Sequence, residues 1–161
     1  MQLPSPPKDL NENTILIRLI DGISFRFFWA TEKLTPHDTQ FRPSEDTMSI
    51  NELLAHIYRL TVWVHSSLKG NETEPSERVT SFEEMRKDIL SELEQIKERL
   101  STFSPKQLSQ IQIRQLPFWN MINGPLADIL THIGQINTYR RLNGNPAPKI
   151  SPVTGKTYGS N

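Results

Sequence analysis

Cysteine is missing from all 161 residues, which excludes disulfide frameworks, thiolate zinc sites and cysteine nucleophiles together. Neither sign of charge is in excess, since Lys+Arg and Asp+Glu both number 18. No nucleic-acid partner held by bulk electrostatics is therefore expected. Long hydrophobic runs are also missing. No stretch approaches the roughly 20 apolar residues that a membrane span requires, so no membrane partner is expected. The opening MQLPSPPKDLNENT has no basic segment followed by an apolar run, so it does not read as a signal peptide, and the expected location is the cytoplasm. The sequon Asn71-Glu72-Thr73 should then stay unmodified. Convincing strand alternation is lacking as well. The chain fits one domain, and at this size it buries roughly 70% of the surface its unfolded form exposes. Folding needs neither a disulfide nor a structural metal.

What is there is helical periodicity, in four segments. Residues 1–8 are Pro-rich and read as loose. Asp9-Leu10-Asn11-Glu12 reads as a capping box opening a first helix that runs to about Lys33. Its second half, Gly22 to Ala30, is apolar nearly all round, as in a helix enclosed by neighbours. A long connection over 35–48 follows. Ser49-x-x-Glu52 opens a second helix whose stripe is Ile50, Leu53, Leu54, Ile57, Leu60, Thr61 and Val64, with Gly70 placed to end it. After a polar loop, Asn71 to Val79, Thr80 or Ser81 caps a third helix. There Met85, Ile89, Leu93, Ile96, Leu100 and Phe103 recur at helical spacing, and Pro105 ends it. Residues 104–116 read as a loop. The fourth helix begins near Pro117 or Pro125, with Pro125 preferred as a first-turn residue, and ends near Gly144. Four amphipathic helices without strands predict an all-α bundle over about 9–144, one domain spanning 1–161, with irregular tails at 1–8 and 145–161.

Four histidines are present: His37, His56, His65 and His132. With about 100° of rotation per residue, His56 lies at the edge of the second helix's buried stripe, near Leu53, Leu60 and Trp63. His65 falls about 180° away and is expected to face solvent. On the fourth helix, Ile122, Leu126, Ile129, Ile133 and Ile136 form the apolar stripe. Asp128, His132, Gln135 and Tyr139 form a polar column beside it. A carboxylate in such a column is costly to bury unless it pairs or binds a cation. Asp128 and His132 thus offer one oxygen and one imidazole nitrogen on a single face, and His56 could add a third ligand. The same spacing also suits a helix ion pair or a hydrogen-bonded core histidine, and both readings stand at this point. Arg26 and Asp21 read as a structural pair, with anion binding by Arg26 as the alternative. Trp29, Trp63 and Trp119 read as core or cavity walls. Gly155-Lys156-Thr157 looks like the end of a phosphate loop, but position 150 is isoleucine where a glycine is required. No Gly-x-Ser-x-Gly elbow exists.

The segments SINELLAHIYRL (49–60), LPFWNMINGPLADILTHIGQINTYRRLNGNP (116–146) and IDGISFRFFWATEKL (20–34) resemble the DinB/YfiT-like metalloprotein superfamily. The closest likeness is to a branch carrying G-P-L-A-D-x-x-x-H-x-G-Q-I. The similarity covers most of 15–148, and H-x-G-Q is its most specific piece. It implies an up-down-down-up four-helix bundle, commonly a homodimer, with one divalent metal held near one end by three helical side chains. Many members use three histidines. Here the matching positions are His56, Asp128 and His132, so Asp128 stands where the first histidine of an H-x3-H pair is usual. Zinc, nickel or iron would suit such a set. Characterised relatives include transferases and isomerases that use low-molecular-weight thiols. The expectation is a metal-dependent hydrolase or thiol S-transferase acting on a small-molecule substrate or thiol. Arg26, Trp29, Gln135 and Tyr139 are the candidate substrate or supporting residues. The alternative is a non-catalytic small-ligand-binding or interaction bundle whose metal site is vestigial.

Overall fold

The protein is described by a computed structural model covering residues 1–71 and 81–158. Its long helices begin where a side chain can satisfy the first free backbone amides. Asn11 caps α1 (Glu12–Thr31), with Thr14 bonding back to the Asn11 amide. Ser49 and Glu52 do the same for α3 (Ile50–Leu68), and Ser81 and Glu84 for α4 (Phe82–Ser101). Such reciprocal boxes fix helix starts because they satisfy two orphan donors at once. A short α2 (Pro36–Gln40) lies between α1 and α3. After α4 come α5 (Pro105–Leu108) and a minimal antiparallel hairpin, β1 (Gln112–Ile113) with β2 (Leu116–Pro117). One turn, α6 (Trp119–Met121), and a π-helical turn at Ile122–Leu126 lead into α7 (Ala127–Leu142). The chain ends in a second small hairpin, β3 (Ile150–Ser151) with β4 (Lys156–Thr157).

The protein is thus mostly helical. Each long helix packs on two others: α4 on α1 and α3, and α7 on α1 and α3. One apolar core takes Ile20, Ile23 and Phe27 from α1, Leu53, Ile57 and Leu60 from α3, Ile89, Leu93 and Ile96 from α4, and Ile129, Ile133 and Ile136 from α7. Those of α3, α4 and α7 lie on the stripes the periodicity predicts. No helix among the described residues is long and apolar enough to cross a membrane.

Several expectations are corrected. The cap of α1 is Asn11, not Asp9, and α1 stops at Thr31. Residues 35–48 and 104–116 contain short helices and a hairpin. The 145–161 tail is not wholly irregular, since it forms the β3–β4 pair. Pro125 does not start a helix. It sits inside a helical run that begins at Trp119, where Gly124 (φ −93°, ψ −108°) breaks the regular ladder. The N-terminal residues are held: the Pro4 carbonyl accepts from Arg18, and the Met1 carbonyl accepts from Trp29 Nε1. Trp119 is 74% exposed, so it is no core wall. Asp21 pairs with Lys97 at 2.9 Å, while Arg26 bonds the Gly22 carbonyl of its own helix. His65 does not face solvent. It is 5% exposed, with Nδ1 2.5 Å from a Glu92 carboxylate oxygen on α4. The reason is visible in its neighbours: Val64 to Leu68 are all buried, so the last turn of α3 is enclosed all round. The expected loop Asn71 to Val79 and the Thr80 cap lie outside the described residues, apart from Asn71.

Two buried charged groups fasten the far end of α7. Arg140 donates from Nη1 to the Ala30 and Glu32 carbonyls and from Nε to the Asn145 carbonyl. It thereby occupies carbonyls at the end of α1 that have no partner within the helix. Asp38, in the first turn of α2, accepts from the Thr35 amide and hydroxyl and from the Asn143 and Asn145 side chains. Burial alone would raise the Asp38 carboxyl. The bonds from Thr35, Asn145 and Asn143 outweigh it and hold the group at about 2, below its ordinary 3.8.

Because the folded value lies below the unfolded one, this stabilisation is complete above pH 3.8 and is lost as pH falls toward 2. The contribution is about 2 kcal/mol at neutral pH. Asp38→Asn should lower stability by about 1–3 kcal/mol at pH 7, and by much less near pH 2. Urea denaturation at the two pH values checks this.

Candidate metal centre

The polar column of α7 starts directly after the irregular turn. Gly124 and Pro125 interrupt the ladder, and α7 restarts with Asp128 in its first turn. One turn on, His132 projects from the same face. Across the interface, α3 presents His56 at the edge of its buried stripe.

These three side chains converge. His56 Nε2 lies 3.1 Å from Asp128 Oδ2, and His132 Nε2 lies 3.2 Å from Asp128 Oδ1. The two imidazole rings meet edge to face, with centroids 4.7 Å apart. One ligand atom from each residue falls within 4.8 Å of the other two, close enough to hold a metal ion. Donor atoms about 2.0–2.1 Å from a tetrahedral ion lie roughly 3.3 Å from one another. The separations to Asp128, each to a different carboxylate oxygen, are near that value, and the three donors are close enough together to hold an ion. The side chains are 27% (His56), 43% (Asp128) and 12% (His132) exposed. The site is therefore open on the Asp128 side and closed around His132.

Gln135 lies beside His132: its Oε1 is 2.7 Å from His132 Nδ1. An amide oxygen can only accept, so this contact places a proton on Nδ1. His132 Nε2 then faces the Asp128 carboxylate. An acceptor on the outer nitrogen is also how protein metal sites orient histidine ligands. His56 has a different neighbour, Arg59 Nη2 at 3.5 Å from Nδ1, and Arg59 is exposed.

The other candidate residues are placed elsewhere. Tyr139 continues the column but is buried, edge-on to Phe41 at 6.2 Å. Arg26 and Trp29 neither hydrogen-bond nor ion-pair with the triad. Beside Asp128 lies instead a cavity of about 550 Å³ walled by Leu60, Trp63, Leu116, Asn120 and Asn123, with Arg114 stacked 4.3 Å over the Trp63 ring. That volume falls within the usual range for small-molecule pockets. Helical spacing from His56 points to Leu60 and Trp63. Asn120, Asn123 and Arg114 carried no such signal, because they belong to a hairpin and an irregular turn.

No family model, no curated protein and no solved structure matches this chain. The likeness to the DinB/YfiT-like superfamily therefore rests on the three quoted segments alone.

Replacing Gln135 with Leu removes the acceptor from His132 while leaving all three ligands in place. Zinc affinity, measured by competition with a chromophoric chelator, should fall about 10- to 100-fold. Unchanged affinity would mean that His132 is not oriented through Gln135.

Proposed function

We propose that the chain is a DinB-like four-helix bundle of up-down-down-up order. It holds one divalent metal through His56, Asp128 and His132 and uses it as a metal-dependent enzyme on a small molecule. The observation that carries this reading is the convergence of three donors, from two helices, one of which (Asp128) lines a ligand-sized cavity. Two imidazoles and one carboxylate suit zinc, nickel or iron(II) and leave coordination positions open. An ion held there supplies a Lewis acid that activates a water or a thiol at neutral pH. This supports a hydrolase or a low-molecular-weight-thiol transferase. Asp128, the most exposed of the three, borders the cavity and would meet the substrate side of the site. Gln135 fixes the His132 ring, and Trp63 with Leu60 supplies an apolar wall. A homodimer fits this reading, as it does many proteins of the resembled superfamily.

One observation favours a second reading. Asp128 lies within hydrogen-bond distance of both imidazoles, so the triad is able to satisfy itself with protons alone. In that case the bundle is a non-catalytic ligand-binding or interaction module with a vestigial site.

Metal analysis of protein purified without an affinity tag separates the two. The wild type should carry close to one divalent ion per chain, and His56→Ala, Asp128→Ala and His132→Ala should each carry far less. Equal metal content in all four would refute the proposal. An unchanged melting temperature in chelator, with no shift on adding zinc, nickel or iron, would favour the second reading.

A further inference from the structure

The last turn of α7 borders a second, larger cavity of about 920 Å³. On α7 it begins at Asn137, nine residues beyond Asp128 and roughly 14 Å along the helix, and none of the triad lines it. Its walls are the end of α1, the last two turns of α7 and the returning C-terminal hairpin. The charge around it is one-sided. Lys33, Arg141 and Lys149 line it, and none of them ion-pairs with another described residue. Glu32, the one acidic residue in the wall, is held by Arg86 at 2.5 Å.

Arg140 adds a fourth positive charge from beneath. Its side chain is 1% exposed, and its hydrogen bonds go to the carbonyls of Ala30, Glu32 and Asn145. Carbonyls satisfy the guanidinium's donors but carry no net charge against it. Burial pushes Arg140 below its ordinary value, and Asp38 and Glu32 oppose that only through space. Four cations around one concavity are unexpected in a chain of zero net charge. An anion seated there would be attracted by all four, and more strongly than in open water because the site is partly enclosed. Two aromatic side chains, Trp29 and the 59% exposed Tyr158, complete the wall. Partly buried Trp29 and exposed Tyr158 beside these cations are suited to stacking on a planar ring.

We propose that this cavity is a binding site for a small anionic molecule bearing a planar ring. It lies apart from the triad, and it stands or falls independently of metal binding. The anion contacts Lys33, Arg141 and Lys149, and the ring lies against Trp29 or Tyr158.

The test is a titration of the full chain with phenyl phosphate, with phenol and inorganic phosphate as the two half-ligands. Binding is followed by calorimetry and by the tryptophan indole resonances, assigned with Trp29→Phe and Trp63→Phe. Phenyl phosphate should bind more tightly than either half-ligand, shift the Trp29 resonance and leave that of Trp63 in place. Arg141→Glu and Lys149→Glu, both at exposed positions, should each weaken it at least about tenfold. Raised salt should weaken it further. No binding up to about 10 mM, weaker than any specific site, would overturn the proposal. So would a shift confined to Trp63, or charge-reversal variants that bind as the wild type does.

Discussion

The approach of α3 to α7 is the constraint on which the site depends. His56 and Asp128 are 72 residues apart in sequence, and only this packing brings Nε2 and Oδ2 to 3.1 Å. The polar contact itself is not what holds the helices together, since all three side chains are partly exposed. The hold comes from the apolar stripes alongside. Leu53, Ile57 and Leu60 on α3 and Ile129, Ile133 and Ile136 on α7 lie in one core. Each such side chain contributes about 1.5–3 kcal/mol when fully buried. The triad sits at the edge of that core, where rotamers are limited by packing on one side and solvent reaches the other.

The same helix is fixed at its far end by other means. Asp38 and Arg140 join the end of α7 to α2 and to the end of α1 through side chains and backbone carbonyls. At its near end the backbone is irregular: a π-helical turn, a non-helical Gly124 and an internal Pro125 precede Asp128. Such turns inside helices occur frequently at functional sites.

Much of this was legible in the residues. The apolar stripes gave the core-facing sides of the second, third and fourth predicted helices, because period alone decides which face is buried. The polar column at Asp128, His132 and Gln135 followed from the same geometry, and the structure joins those three residues to His56. Reading failed where tertiary contacts overrode periodicity. His65 lies opposite His56 on its helix, yet α3 is enclosed at that turn and Glu92 receives the ring. Trp119 suggested a wall by its size but projects from an irregular turn. The two small hairpins have two-residue strands, too short for any alternation to register. Arg26 and Trp29 looked like site residues because their helix is apolar all round, whereas their contacts are made away from the triad.

The account is tested most directly by a crystal structure of the protein with zinc added, with anomalous scattering recorded above and below the metal edge. It predicts one peak about 2.0–2.2 Å from His56 Nε2, an Asp128 carboxylate oxygen and His132 Nε2 together. A fully occupied peak elsewhere, or a triad that stays closed by hydrogen bonds with zinc in excess, would contradict it.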